Sequence, residues 1–267
     1  MKSRFHLQGG SVRGERITDC KIERLTHRDL SSLCTYTGIA ETFGQERIME
    51  FDLKDVWRIR EEDVFPALFG QQVRGIFPLQ MEMFTRQFGQ SEIDPRWLHY
   101  GVFEFAPTDS RGSSLYVTSG HSTPWEQSPS DYEPNGESGS GVEFTMAVTE
   151  PGDWAIRTLQ AMLAFDILLW AGRFPGRDYL GLNDRIPLGG PLTGDPKCVL
   201  RHLIMTEAEG LPSEFQLPSG KVLLTGFTAI TDEELNEAKR CGSPALIDRL
   251  REAGVHPVNN PHRQSVI

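Results

Sequence analysis

Apolar residues fall on every side of residues 154–172, WAIRTLQAMLAFDILLWAG, and that pattern predicts a helix buried in the core. Pro151, Gly152 and Asp153 precede it as a stop and an N-cap, and Gly172 offers a left-handed end. At about 100° per residue Arg157, Gln160 and Asp166 point in different directions, which hydrocarbon would penalise, so a membrane span is rejected. Elsewhere the period is two. WLHYGVFEF alternates, with Trp97, His99, Gly101, Phe103 and Phe105 on one face and Leu98, Tyr100, Val102 and Glu104 on the other. VEFTMAV sets Val142, Phe144, Met146 and Val148 on one side, and both segments predict antiparallel strands.

Further along, CVLRHLIM reads as a buried strand and EFQLPSGKVLLTGFTAI as a hairpin turning at PSG. TDEELNEAKRCG predicts a helix with Thr231 and Glu234 at capping-box spacing and an end at Gly242. SPALIDRLREAG predicts another, with Ser243 as N-cap, Pro244 in the first turn and Gly254 after the last. Near the start, RITDCKIERL reads as a strand and DVWRIREEDVFPALFG as a helix. Residues 128–140, SPSDYEPNGESGS, read as an exposed, mobile loop, and residues 173–196 as a second irregular segment. The expected fold is α/β (α+β): a mainly antiparallel or mixed sheet packed on a central buried helix.

Composition narrows the function classes. A chain of 267 residues suits one large domain or two small ones, and 38% hydrophobic with 24% charged residues suits a soluble globular protein. A net charge of -10 without a basic stripe argues against nucleic acid and suits a basic partner. Glu207, Glu209, Asp232, Glu233 and Glu234 read as ground for such a partner or simply as a solvated face. Cys20, Cys34, Cys198 and Cys241 form no CxxC grouping, which fits a reducing compartment. The basic N-terminus, MKSRFHLQGGSVRGER, has no apolar run behind it, so no secretory signal is expected and the cytoplasm is the expected location.

The stretch TSGHSTPW places hydroxyls beside a histidine. A hydrolase would need Ser119 or Ser122 activated by His121, yet neighbouring side chains on a strand point apart and no GxSxG elbow is present. A turn is favoured, with Gly120 supplying an unusual backbone angle and the hydroxyls capping local amides. His99, His121, His202 and Asp109 lack the spacing of a metal site, and LGGPLTGDP lacks both GxGxxG and the P-loop lysine, so neither metal nor cofactor is expected. In WLHYGVFEF the alternation favours packing Trp97 and His99 on the inner face, which leaves Tyr100 the better surface anchor.

The ordered set DPRWLHYGVFEF, LYVTSGHSTPW, GSGVEFTMAV, GDWAIRTLQAMLAF, IPLGGPL, LIMTEAEG and PSGKVLLTGFTAITDEELNEAK resembles the Suppressor of fused domain family, from about Pro78 to about Gly254. The resemblance implies a mixed α/β fold and a protein that binds other proteins without catalysis. Animal members have a second domain and hold zinc-finger transcription factors of the Hedgehog pathway by adding an extended peptide as a strand. Bacterial members are usually single-domain, and many resemble immunity proteins that neutralise a toxin. This chain resembles the bacterial type, and a Hedgehog-like partner is not implied.

The expected organisation is an N-terminal segment over residues 1–75, unmatched but packed on the same domain, a Suppressor of fused-like domain over 76–256, and a C-terminal tail over 257–267. The candidate partner-binding residues are Trp97, His99, Tyr100, Ser119, His121 and Asp178. The last stands, with Gly176 and Arg177, in place of the family's Gly-His or Gly-Asp loop, before a Pro-Leu pair at Pro187 and Leu188 or at Pro191 and Leu192. The expected function is occlusion of another protein, a toxin domain in the sharpest version. An intracellular scaffold or regulator is the alternative, and a Ser/His hydrolase the third reading.

Overall fold

The computed structural model describes residues 51–267 and starts with the helix expected over DVWRIREEDVFPALFG. RITDCKIERL, Cys20 and Cys34 lie outside the described residues. The Asp52 carboxylate accepts from the amides of Lys54 and Asp55, while Asp55 reaches back to the Asp52 amide, so the start is closed by a capping box. From there α1 (Leu53–Arg58) widens into a π turn (Ile59–Val64) and tightens again as α2 (Phe65–Phe69).

Eight strands among the described residues share one sheet. They are β1 (Gln72–Pro78), β2 (Gly101–Phe105), β3 (Ser114–Ser119), β4 (Glu137–Val148), β5 (Arg185–Pro187), β6 (His202–Glu207), β7 (Glu214–Leu217) and β8 (Gly220–Ile230). Their order is β1-β2-β3-β4-β8-β6-β5, with β7 alongside the start of β8. Pairs are antiparallel except β4 with β8, which run parallel. The helices that follow β1 are α3 (Met81–Phe88), α4 (Asp153–Trp170), α5 (Asp232–Cys241) and α6 (Ser243–Glu252). This is the mixed α/β architecture expected from the pattern.

Both faces of the sheet are covered. On one, α4 packs its many apolar sides against Tyr116, Phe144, Met146, Val148, Leu203 and Met205. On the other, Val56, Phe65 and Phe69 of the first helical stretch meet Phe103, Phe105, Leu115 and Val117. Double cover explains why every residue of β2 and β3 is buried, whichever way it points. Among the described residues no helix is long and apolar enough to cross a membrane.

Several local expectations are corrected. Residues Pro95–His99 form a 3-10 turn, not the start of a strand: Pro95 sits in the first turn and the Asp94 carboxylate accepts from the Arg96 amide and guanidinium. The turn reverses the expected exposure, leaving His99 exposed and Tyr100 buried. The strand in CVLRHLIM starts only at His202, and the irregular 173–196 segment contains β5. Residues 137–140 of the expected loop belong to β4, where Ser138 is fully buried. Gly152 rather than Asp153 caps α4, and Gly242 rather than Ser243 caps α6, because the Ser243 hydroxyl donates to the Asn183 carbonyl instead. The Thr231–Glu234 capping box forms as expected.

Residues 257–267 are tied into the sheet. Asn259 runs beside Val148 as a parallel bridge, and its buried side chain accepts from the Ala229 amide and donates to the carbonyls of Ala147 and Phe227. It therefore staples β4 to β8 where their parallel pairing ends. The Arg263 guanidinium forks onto buried Glu234 and also reaches the Ala229 carbonyl. Replacing Asn259→Ala leaves the buried Ala229 amide without its acceptor and removes the side-chain bonds to the Ala147 and Phe227 carbonyls, so urea unfolding is expected to show a loss of about 2–4 kcal/mol. Asn260→Ala, which removes only an exposed bond to the His262 amide, serves as the control with a change within about 0.5 kcal/mol.

Candidate partner-binding cleft

The loop after β3 is held by one carboxylate. Glu143 on β4 is fully buried, and it accepts from the Thr118 hydroxyl (2.5 Å), the Gly120 amide (2.9 Å), the Ser122 amide (3.0 Å) and the Ser122 hydroxyl (2.6 Å). Arg60, from the π turn, answers this charge. Its buried guanidinium donates to Ser122 Oγ and Thr123 Oγ1 and pairs with Glu61, and its Nη1 lies 3.9 Å from Glu143. Ser119 donates to Glu61 at 2.6 Å. The loop is the expected turn, but its amides are satisfied by Glu143 and not by its own hydroxyls. Gly120 is also there for a different reason: its φ is not positive, and a Cβ would overlap the Tyr100 ring.

Held this way, the loop forms one wall of a cleft of about 310 Å³ lined by Arg96, Trp97, Tyr100, His121, Trp125 and Trp170, among others. Rings crowd its mouth. Trp57 meets Trp125 edge-on at 5.3 Å, and exposed His99 lies 6.1 Å from Trp57 and 6.2 Å from Trp125. Arg96 sits over Trp125 at 5.6 Å while bonded to both Asp94 and Glu126, so the cation is fixed in place. Trp170, at the end of α4, is 42% exposed and stacks on Tyr179 at 4.4 Å. Burial pushes the Tyr100 phenol well above its ordinary value, with the Glu143 charge adding to the effect.

His121 sits at the base of the cleft, between Tyr100 and Phe144. The Ser140 hydroxyl donates to the His121 carbonyl at 2.9 Å and lies 3.1 Å from its Nδ1. With the single hydroxyl proton on the carbonyl, Nδ1 is the donor of the second bond. His121 Nε2 then faces Asp166 Oδ2 at 3.3 Å without hydrogen-bond geometry. Burial pushes the Asp166 carboxyl above the usual carboxylate range, against the pull of His121 and a bond from the Leu180 amide.

The hydroxyls around this loop are not arranged as an activated nucleophile. The Ser122 hydroxyl is fully buried between Glu143 and Arg60, Ser119 is bonded to Glu61, and the Ser140 hydroxyl donates its proton to the His121 carbonyl, not to the imidazole. His202 bonds Asp232 at 2.7 Å, and among the described residues no three His, Cys, Asp or Glu side chains are grouped to hold a metal.

Of the residues singled out from sequence, Trp97, Tyr100 and His121 line the cleft and His99 stands at its mouth. Ser119 lies behind it in the Glu61 network, and Asp178 is exposed on the 173–184 segment. Arg96, Trp125 and Trp170 were missed, as was the Arg60–Glu143 support. A usable signal was present: four of the chain's five tryptophans surround the cleft.

A family model described as Suppressor of fused protein (SUFU) matches residues 96–264. Among solved structures, the chain is similar to one from the Sufu-Fu complex, with 18% identity, TM-score 0.50, and 72% of this chain and 93% of that chain covered. It is similar to Drosophila Suppressor of Fused at 18% identity and TM-score 0.50, over 71% of this chain and 52% of that one. A SUFU homolog from Neisseria gonorrhoeae gives 14% identity and TM-score 0.50 over 80% of this chain and 94% of that one. These likenesses are of fold. No curated protein matches the chain.

Two outcomes are expected from the geometry. Glu143→Gln puts an amide N–H₂ among four donors and should cost about 2–4 kcal/mol in urea unfolding, with loss of the Trp125 near-UV dichroism as the loop loosens. The raised Asp166 value means the native state holds this proton more tightly than the unfolded chain. Its contribution is present below the ordinary Asp range and lost as pH rises through the raised value. Asp166→Asn, which keeps an acceptor for the Leu180 amide and offers a donor to Nε2, should therefore match the native chain in acid and exceed its stability at pH 7. Parallel stability curves for the two proteins at both pH values would overturn the assignment.

Proposed function

This chain belongs to the Suppressor of fused family, and on that premise we propose that it is a stoichiometric protein-binding module of the immunity type, which occludes a partner protein without turnover. One observation carries the reading: an aromatic cleft with a fixed arginine at its rim, supported from behind by a buried polar network. Trp, Tyr and Arg are the side chains that dominate binding energy at protein interfaces, and rigid ones lose least entropy when a partner docks. The Sufu-Fu structure is of a protein held by another protein, which favours the same kind of role here. The bacterial likeness, which covers 94% of that chain, favours a toxin domain as the partner, and the net charge of -10 favours a basic one. Free thiols at Cys198 and Cys241 suit the cytoplasm.

The test is a pull-down of the tagged chain from its native host, followed by titration of whatever elutes at near-stoichiometric amounts. Trp125→Ala and Trp170→Ala should each weaken the complex by about 2 kcal/mol, roughly thirtyfold, in calorimetric titration. A partner whose activity is blocked by the chain supports the inhibitor, while a partner left fully active replaces it with the scaffold reading. Unchanged affinity in both tryptophan variants would remove the cleft from the interface.

A further inference from the structure

The C-terminal end of α4 opens into the aromatic cleft: Ile167, Trp170 and Ala171 line it, and no earlier residue of the helix does. The aligned peptide dipoles of this 18-residue helix leave a partial negative charge at that end, which favours a cation there. Its last turn holds no basic residue. Arg173, the next cation along the chain, turns to the Glu92 carbonyl. The amides of Ala171, Gly172 and Arg173 return to the carbonyls of Ile167, Leu169 and Leu168, while the carbonyls of Trp170 and Ala171 accept no backbone amide among the described residues.

The charged side chains around the cleft carry the same sign. Arg96 at the rim is bonded through Nε and Nη2 to Asp94 and through Nη1 to Glu126, one guanidinium for two carboxylates. All three of its nitrogens are engaged, so an incoming anion would compete with Asp94 and Glu126 for it. Behind the wall, Arg60 likewise stands between Glu61 and Glu143. Glu126 spends Oε1 on Arg96, and its side chain is 81% exposed with nothing bonded to Oε2 among the described residues. A second cation therefore finds an open carboxylate oxygen, where an anion finds an excess of its own sign.

Trp170 supplies a flat surface. Tyr179 stacks on it at 4.4 Å with the planes 15° apart, yet Trp170 stays exposed and lines the cleft while Tyr179 does not. The surface that Trp170 turns to the cleft is thus not the one Tyr179 covers. A planar cation laid there extends the stack, and the ring quadrupole favours its charge.

We propose that the cleft takes an arginine side chain of the partner, with its guanidinium stacked on Trp170 at the end of α4 and directed to Glu126. The inference rests on the cleft being the partner's site and names what enters it. At about 310 Å³ the cleft is near the small end of ligand pockets, roughly 300–1,000 Å³, which suits one long side chain. Arginine fits it better than lysine does. Its five donors lie in the plane that stacks, so bonds from its edge to a carboxylate and a carbonyl leave the face contact intact, whereas an ammonium is a hydrated point charge.

Titration of the full chain with Ac-Ala-Arg-Ala-NH₂, read from the tryptophan indole N–H signals in heteronuclear NMR, tests this beside the citrulline, lysine and norleucine counterparts. The arginine peptide should bind in the millimolar range and shift the Trp170 signal. Citrulline keeps the shape and loses the charge, and should bind about tenfold more weakly, with lysine between the two. Trp170→Leu should weaken the arginine peptide about tenfold. Glu126→Gln should weaken it about threefold and leave the citrulline peptide unmoved. No shift with the arginine peptide at millimolar concentration, or citrulline or norleucine bound as tightly as arginine, overturns the proposal. Equal binding of the uncharged peptides leaves the cleft an interface for a neutral side chain, whereas a partner indifferent to Trp125→Ala and Trp170→Ala removes the cleft from the interface and this proposal with it, so the two failures are told apart.

Discussion

The cleft end of the molecule depends on a single buried carboxylate. Glu143 points away from α4, toward the face covered by the first helical stretch, and collects donors from the last residues of β3 and from the loop beyond. That anchoring lets the next side chain along β4, Phe144, pack on His121 from the opposite face at 5.1 Å. The loop is thus clamped from both sides of the sheet. Such an ion would be costly to bury alone, and Arg60, reaching it through the Ser122 hydroxyl, offsets that cost without a direct contact shorter than 3.9 Å. An apolar residue at position 143 could pack there, but it could not satisfy the Gly120 and Ser122 amides, so the loop geometry would be lost.

The same logic applies at the parallel seam. β4 and β8 come from distant parts of the chain, and their register shifts between Glu137 and Val142. A side chain that can donate and accept at once closes the gap between them, and Asn259 does so with three bonds to three strand residues. Arg263 and Glu234 repeat the arrangement one layer out, linking the last residues to the α5 cap. Polar residues here set register, which apolar contacts alone specify poorly.

What was legible in the sequence was local. The all-round apolar pattern of α4, the period-two run of β4, the hairpin at Pro218–Gly220 and the Thr231 capping box each come from signals a few residues long, and each formed. Alternation failed at Trp97 to Tyr100, because Asp94 and Pro95 wind a turn that the hydrophobic period imitates. Nor does alternation single out Glu143: a polar residue between Val142 and Phe144 has the pattern of a solvent-facing position, and only cover on both faces of the sheet buries it. The cleft brought together Trp97, Tyr100 and His121, but its remaining members arrive from far along the chain. Arg60 meets Ser122 across 62 positions and Trp57 meets Thr123 across 66, and no spacing rule reaches so far.

The way the titratable groups are arranged also bears on the Ser/His hydrolase reading. A general base needs an available lone pair and a nucleophile able to surrender its proton. Here every hydroxyl near His121 is already committed, the imidazole donates through Nδ1, and Nε2 looks inward to Asp166 and not into the cleft. What remains facing outward is a set of rings and one arginine locked between two carboxylates. An arginine so held has little freedom left to lose when a partner docks, which is the condition a preformed contact surface needs for the role proposed above.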